Sequence, residues 1–273
     1  MNLHQRIGID AKKDLPVEEA IVWAAEHDVH FLDVEVDLAP NALETIAERA
    51  PRIRELSARH GVNLGLHTVS GVNIAEVSPF VRDAADQYLR TYADMAVDTG
   101  AQWVVVHAGY HFTGDYALRR EAALERLGRA AEYAERVGTL LLLENTNREP
   151  DDAEVHYLAS SIEECRYYLD NLRSPALGFS FTVNHAHLFP EGIRGFVEAL
   201  DLTRCREVRL ADCRGTVEEH LHPGEGTIDF GEMFRLVEGA GFTGHYMNQW
   251  GTLEDMLEGR RYLVERAREA GIT

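Results

Sequence analysis

The sequence predicts an α/β fold, a single (β/α)8 barrel spanning residues 1–273, and three observations carry that prediction. Eight short apolar segments alternate with amphipathic stretches whose apolar residues recur every three or four positions. The alternation repeats about every 34 residues, the length of one strand–helix unit. Closing eight parallel units into a barrel removes both sheet edges. A doubly wound open sheet would leave an edge exposed, and no Gly-x-Gly-x-x-Gly turn follows the first strand to support it.

In chain order the predicted strands are Arg6–Asp10, Phe31–Val36, Asn63–Thr68, Trp103–His107, Leu140–Glu144, Leu177–Thr182, Glu207–Ala211 and His245–Trp250. The connections read as helices, and Leu124, Leu127, Ala131 and Ala134 show the spacing clearly. Leu15-Pro16, Ala50-Pro51 and Phe189-Pro190 are expected to open helices, because proline is tolerated in a first helical turn. Gly61, Gly100, Gly138 and Gly241 are expected to close them in the left-handed region. The period of two in a strand turns Leu177, Phe179 and Phe181 toward the helices and Gly178, Ser180 and Thr182 inward. It likewise sends Val208 and Leu210 outward and Arg209 inward, and sets Met247 and Gln249 opposite Tyr246 and Asn248.

Composition narrows the function classes. Lysine and arginine total 27 against 46 acidic residues, a net charge of −19 with Lys12 and Lys13 the only lysines. Such a surface repels phosphate backbones, so nucleic acid is not an expected partner. The acidity fits either a salt-adapted cytosol or ordinary solubility with an arginine-favouring codon usage. No run of about 18 apolar residues exists to cross a membrane. Three scattered cysteines, Cys165, Cys205 and Cys213, make neither a disulfide framework nor a Cys-x-x-Cys zinc site. Together with an N-terminus that lacks a signal-peptide pattern, they imply a reducing, cytoplasmic setting.

Barrels of this kind place their chemistry at the C-terminal ends of the strands. Those ends are unusually polar here: Glu35 and Asp37, His67, His107, Glu144-Asn145-Thr146, Thr182-Val183-Asn184-His185, Arg209 with Asp212, then His220-Leu221-His222, and finally Asn248-Gln249. One histidine after a strand is ordinarily a structural group. Four imidazoles and several carboxylates converging on one mouth indicate a site. Gly224-Glu225-Gly226 reads as a turn, with backbone access to a phosphate as the functional alternative. Trp103, Trp250, Tyr110, Phe112 and Phe189 could wall the mouth, although aromatics beside strands more commonly pack.

The ordered set LGLHT ending at Thr68, VVVHAG ending at Gly109, LLLENT ending at Thr146, Asn184-His185-Ala186, RLAD ending at Asp212 and HLHPGEGTIDF ending at Phe230 resembles the xylose isomerase-like barrel superfamily along essentially the whole chain. That superfamily holds sugar isomerases and epimerases, sugar-acid dehydratases and endonuclease IV. The resemblance implies a divalent metal held by four residues, and their positions fall on Glu144, Thr182, Arg209 and Gln249. Only Glu144 is a usual ligand. The resemblance also implies substrate or zinc contacts for His67, His107, His185 and His220, with Glu218 near an acidic ligand of the nuclease branch.

An arginine cannot give up its proton to bind a metal, and its guanidinium pairs well with a carboxylate. The expectation is therefore a metal-free site in which Arg209 replaces the ion, pairing with Glu144 or with a substrate oxygen. A single zinc or manganese on His67, His107 and Glu144 is the alternative. The expected activity is isomerisation or epimerisation of a sugar or sugar acid by proton abstraction next to a carbonyl. Glu144, His185 and Arg209 would be catalytic, with Glu35, His67, His107, Thr182, His220 and Gln249 binding the substrate. Dehydration by a lyase and sugar binding without catalysis are the alternatives, and abasic-site cleavage ranks last. A homodimer is a possible assembly implied by the resemblance.

Overall fold

The computed structural model describes residues 1–11 and 15–272. Eight parallel strands close into a barrel: β1 (Ile7–Asp10), β2 (Phe31–Glu35), β3 (Asn63–His67), β4 (Trp103–Val106), β6 (Leu141–Glu144), β8 (Leu177–Thr182), β9 (Cys205–Leu210) and β10 (His245–Asn248), with β1 hydrogen-bonded to both β2 and β10. Every barrel strand matches an expected one within two residues. Two further strands, β5 (Tyr110–Phe112) and β7 (Val155–Tyr157), pair antiparallel as a ribbon in the loops that follow β4 and β6. Three residues are too few to show alternation, so sequence periodicity missed this ribbon.

Helix boundaries follow the capping chemistry with two corrections. Gly61, Gly100 and Gly138 close their helices at φ of 68°, 77° and 84°, where a side chain would be strained. Pro51, expected at a helix start, lies inside the helix Leu43–His60. Pro190 precedes the helix Gly192–Ala199 instead of opening it, whereas Pro16 caps the helix Val17–Glu26 as expected.

Outward strand residues and the inner faces of the helices form the main core. Phe179 and Phe181 of β8 face this layer, and Phe181 stacks on Phe196 with ring centroids 6.1 Å apart. The barrel interior is divided. One part is apolar, built by Trp103, Val105, Leu142 and Met247. The other is ionic, built by Asp10, Asp33, Glu207, Arg209 and His245, all buried. Trp103, considered for the mouth wall, belongs to the interior near the opposite end, within 4.3 Å of the His245 ring.

Replacing Phe181 by alanine removes a fully buried ring from between sheet and helix. The expected loss is about 3–5 kcal/mol, read as a lower urea midpoint at an unchanged m-value.

Candidate functional site

The C-terminal ends of the strands enclose a cavity of about 620 Å³ whose lining includes Glu35, His67, His107, Glu144, His185, Glu218, His220 and Gln249. Of the nine residues expected to form the site, seven line this cavity. Thr182 and Arg209 do not, because both lie beneath it with no exposed surface.

Thr182 faces inward, as the alternation of β8 requires, and its hydroxyl donates to Glu144 Oε1 at 2.5 Å. The backbones of β6 and β8 are locked at the same level, since Asn145 Nδ2 donates to Thr182 O and Thr182 N donates to Asn145 Oδ1. Glu144 Oε2 lies 3.1 Å from His107 Nε2 and 3.4 Å from His67 Nε2, and the two imidazole nitrogens are 3.5 Å apart. Burial pushes the Glu144 carboxyl up, but His107, His67 and the nearby Arg209 charge outweigh it and hold the group well below the usual carboxylate range. Burial lowers His107. Burial and Arg209 also pull His67 down, yet Glu144 and Asp10 raise it overall. A carboxylate held that low is a weak base, which speaks against the base role expected for Glu144.

Arg209 is the main correction to the expected electrostatics. Its guanidinium donates to Asp10 and Asp33 at 2.5 Å each and to Glu207 at 2.9 Å, while its Nε donates to Gln249 Oε1 at 2.8 Å. It therefore pairs with neither Glu144 nor a substrate oxygen. Three other acids, Asp10, Asp33 and Glu207, share this cation instead. Asp10 and Glu207 were visible as inward positions of their strands by the same period that placed Arg209. Burial and the Glu207 charge push Asp33 up to about 8, whereas Arg209 and His245 overcome burial and hold Glu207 down at about 2.

A second group lies across the cavity. His185 Nδ1 is 2.8 Å from Asn145 O, an atom that can only accept, so Nδ1 carries the proton and Nε2 is left for the pocket. Nε2 lies 3.7 Å from Glu218 Oε1, which also meets His220 Nε2 at 2.8 Å. Those two histidines keep Glu218 low against the effect of burial. Asp212, the polar end of β9, is spent on structure: its carboxylate accepts from the backbone of Gly224, Gly226 and Ile228. The Gly224-Glu225-Gly226 segment is thus a turn, with two of its N–H groups already used. Asp37 is similarly engaged by the hydroxyls of Tyr88 and Tyr92.

The donor chemistry separates the possible metal positions. At the four positions implied by the resemblance, Thr182 gives its hydroxyl to Glu144, Arg209 is a cation and Gln249 is a neutral amide. That set does not fit a divalent ion. Among the described residues, His67, His107 and Glu144 bring one ligand atom each within 4.8 Å of one another, and so do His185, Glu218 and His220. Two imidazoles and a carboxylate suit zinc. Thr68 can serve His107 in either tautomer, because its hydroxyl reaches both Val105 O and His107 Nδ1.

Comparison with known proteins agrees with this architecture. The profile of the xylose isomerase-like TIM barrel family matches residues 21–271. The chain is 26% identical over 179 residues to fructoselysine 3-epimerase of Escherichia coli O157:H7, covering 62% of each protein. It is 27% identical over 144 residues to a probable endonuclease 4 of Methanoculleus marisnigri, covering 47% of this chain and 49% of that one. A D-tagatose 3-epimerase-like protein of known structure superposes with a TM-score of 0.84 at 22% identity, over 97% of this chain and 98% of the other.

The Asp33 carboxyl binds its proton more tightly folded than unfolded. Its contribution to stability is complete below about pH 4 and is lost as pH rises through about 8. Asp33→Asn cannot ionise, so the urea midpoint of the parent should fall more between about pH 5 and 8 than that of the variant. Equal slopes would mean that Asp33 is already ionised in the folded protein at the lower pH.

Proposed function

The chain belongs to the xylose isomerase-like TIM barrel family, and from that premise we propose that it is a sugar epimerase or isomerase that removes a proton next to a carbonyl. The observation that carries this reading is His185, whose Nδ1–H is tied to Asn145 O and whose Nε2 is turned to the cavity of about 620 Å³. Fructoselysine 3-epimerase and the D-tagatose 3-epimerase-like structure support sugar epimerisation as the class of reaction.

In this reading His185 Nε2 takes the proton from the carbon beside the carbonyl. Glu218, backed by His220, stabilises the imidazolium that forms. His67 and His107 face the developing oxyanion from the other side of the cavity, and Glu144 fixes both rings. His67, His107 and Glu144 would hold a divalent ion, zinc by their donor types, and such an ion polarises a carbonyl oxygen when bound. Glu144 thereby serves as anchor and ligand, and His185 takes the base role. Arg209 acts from below by its charge alone. The proton returns from His185 to the neighbouring carbon, or His185 yields it to solvent while His220, protonated from solvent, delivers another to the same carbon. A lyase would share the first step and then lose water. A phosphodiester substrate fits poorly, because Glu35, Glu144, Glu149 and Glu218 all line the cavity.

Incubating ketopentoses and ketohexoses with the protein in deuterated water should place solvent deuterium on the carbon beside the carbonyl, read by NMR. His185→Ala should slow that exchange about 10²–10⁴-fold and leave sugar binding intact. Absence of label from every sugar tried would overturn the reading. Elemental analysis should find about one zinc per chain, lost in His107→Ala; a metal retained after that change would place it elsewhere.

A further inference from the structure

A second cavity, of about 590 Å³, opens at the opposite end of the barrel, where the strands begin, and its lining includes Phe31, Trp103, Arg206, Phe242 and His245. Its charge is the reverse of the upper one. Five carboxyl groups and one guanidinium line the upper cavity, whereas two guanidiniums and one carboxyl group line this one. Arg6 and Glu238 are spent on each other at 3.0 Å, and Arg6 also donates to Gly244 O and Phe242 O. Arg206, exposed at the second position of β9, has no hydrogen-bond or ion-pair partner among the described residues. The charge left over at this end is therefore its guanidinium.

His245 supplies the directional group. Only 6% of it is exposed, and its ring stacks on Phe31 at a centroid distance of 4.5 Å and meets Trp103 at 4.3 Å. Its Nε2 lies 3.0 Å from Glu207 Oε2. Glu207, paired with Arg209 and accepting from Ser180 Oγ, is an ionised acceptor, so Nε2 carries the proton. Nδ1 has no partner among the described residues and is not sealed off, so the neutral ring presents a lone pair to the cavity that it lines. We propose that this end of the barrel is a second ligand site, for a small planar aromatic acid that also carries a ring N–H or O–H. The aromatic body lies against Phe31, Trp103 and Phe242, the carboxylate pairs with Arg206, and the ring donor meets His245 Nδ1. The two cavities share no lining residue, so this site stands whether or not the chain epimerises sugars.

Indole-3-carboxylate is the probe, titrated into ¹⁵N-labelled protein and followed by NMR. The assigned indole signal of Trp103 should move along a saturable one-site curve. That of Trp250, which packs on His222 at the upper mouth, should stay in place. Indole-3-methanol lacks the charge and 1-methylindole-3-carboxylate lacks the donor, and each should bind about tenfold or more weakly. Arg206→Gln changes an exposed side chain and spares the core. It should weaken the acid by about the same factor and leave the affinity for indole-3-methanol unchanged. The proposal is overturned by the absence of a saturable shift, by a shift at Trp250 in place of Trp103, by equal affinity for the acid and either analogue, or by undiminished binding of the acid to Arg206→Gln.

Discussion

Arg209 carries a full positive charge into a barrel interior with no exposed surface, where burial of an unpaired ion is prohibitively costly. It is stable there because Asp10, Asp33 and Glu207 supply acceptor oxygens at hydrogen-bonding distance and Gln249 takes its Nε–H. One cation among three acids, with Glu144 close above, leaves the axis of the barrel rich in negative charge. Burial and then the Glu207 charge raise Asp33, while Glu144 and Asp10 raise His67 against burial and Arg209, and the surplus draws a proton or a metal ion toward the histidines of the mouth. The arginine therefore does not cancel the charge of the site. It permits a carboxylate layer to exist beneath it.

Layering also separates the work of the residues. Going up the strands, the Glu207 and His245 pair lies toward the far end, the Arg209 cluster sits in the middle, and Glu144 with its histidines opens to the cavity. The apolar half of the interior, built by Trp103, Val105, Leu142 and Met247, keeps the ionic half short of water and its electrostatics strong.

Much of this was legible in the sequence. Alternation located all eight strands, turned Ser180, Thr182 and Arg209 inward, and made the polar strand ends into a mouth. What escaped depended on closure. Asp10 and Asp33 come from the first two strands and Glu207 from the seventh, and only a barrel brings them to one guanidinium. Reading Arg209 against its aligned ligand positions alone suggested Glu144 as the partner. Pro51 was misplaced for a local reason, since a proline inside a long helix carries the same signature as one at its start.

The three departures from the usual metal-ligand set are coupled by their contacts, which argues against simple decay. An aspartate in place of Thr182 would set a second carboxylate against Glu144 Oε1, where a hydroxyl now donates at 2.5 Å. A glutamate in place of Gln249 could still accept from Arg209. It would then oppose Asn184 Oδ1 with an acceptor, where the amide now faces it with a donor at 3.3 Å. A histidine in place of Arg209 would leave Asp10, Asp33 and Glu207 buried around a smaller ring that cannot bond to all three at once. Each neutral residue suits the arginine or the glutamate beside it, so restoring any one usual ligand alone would break a satisfied contact. Random loss would leave orphaned groups at these positions; here the side chains of Thr182, Arg209 and Gln249 all find partners.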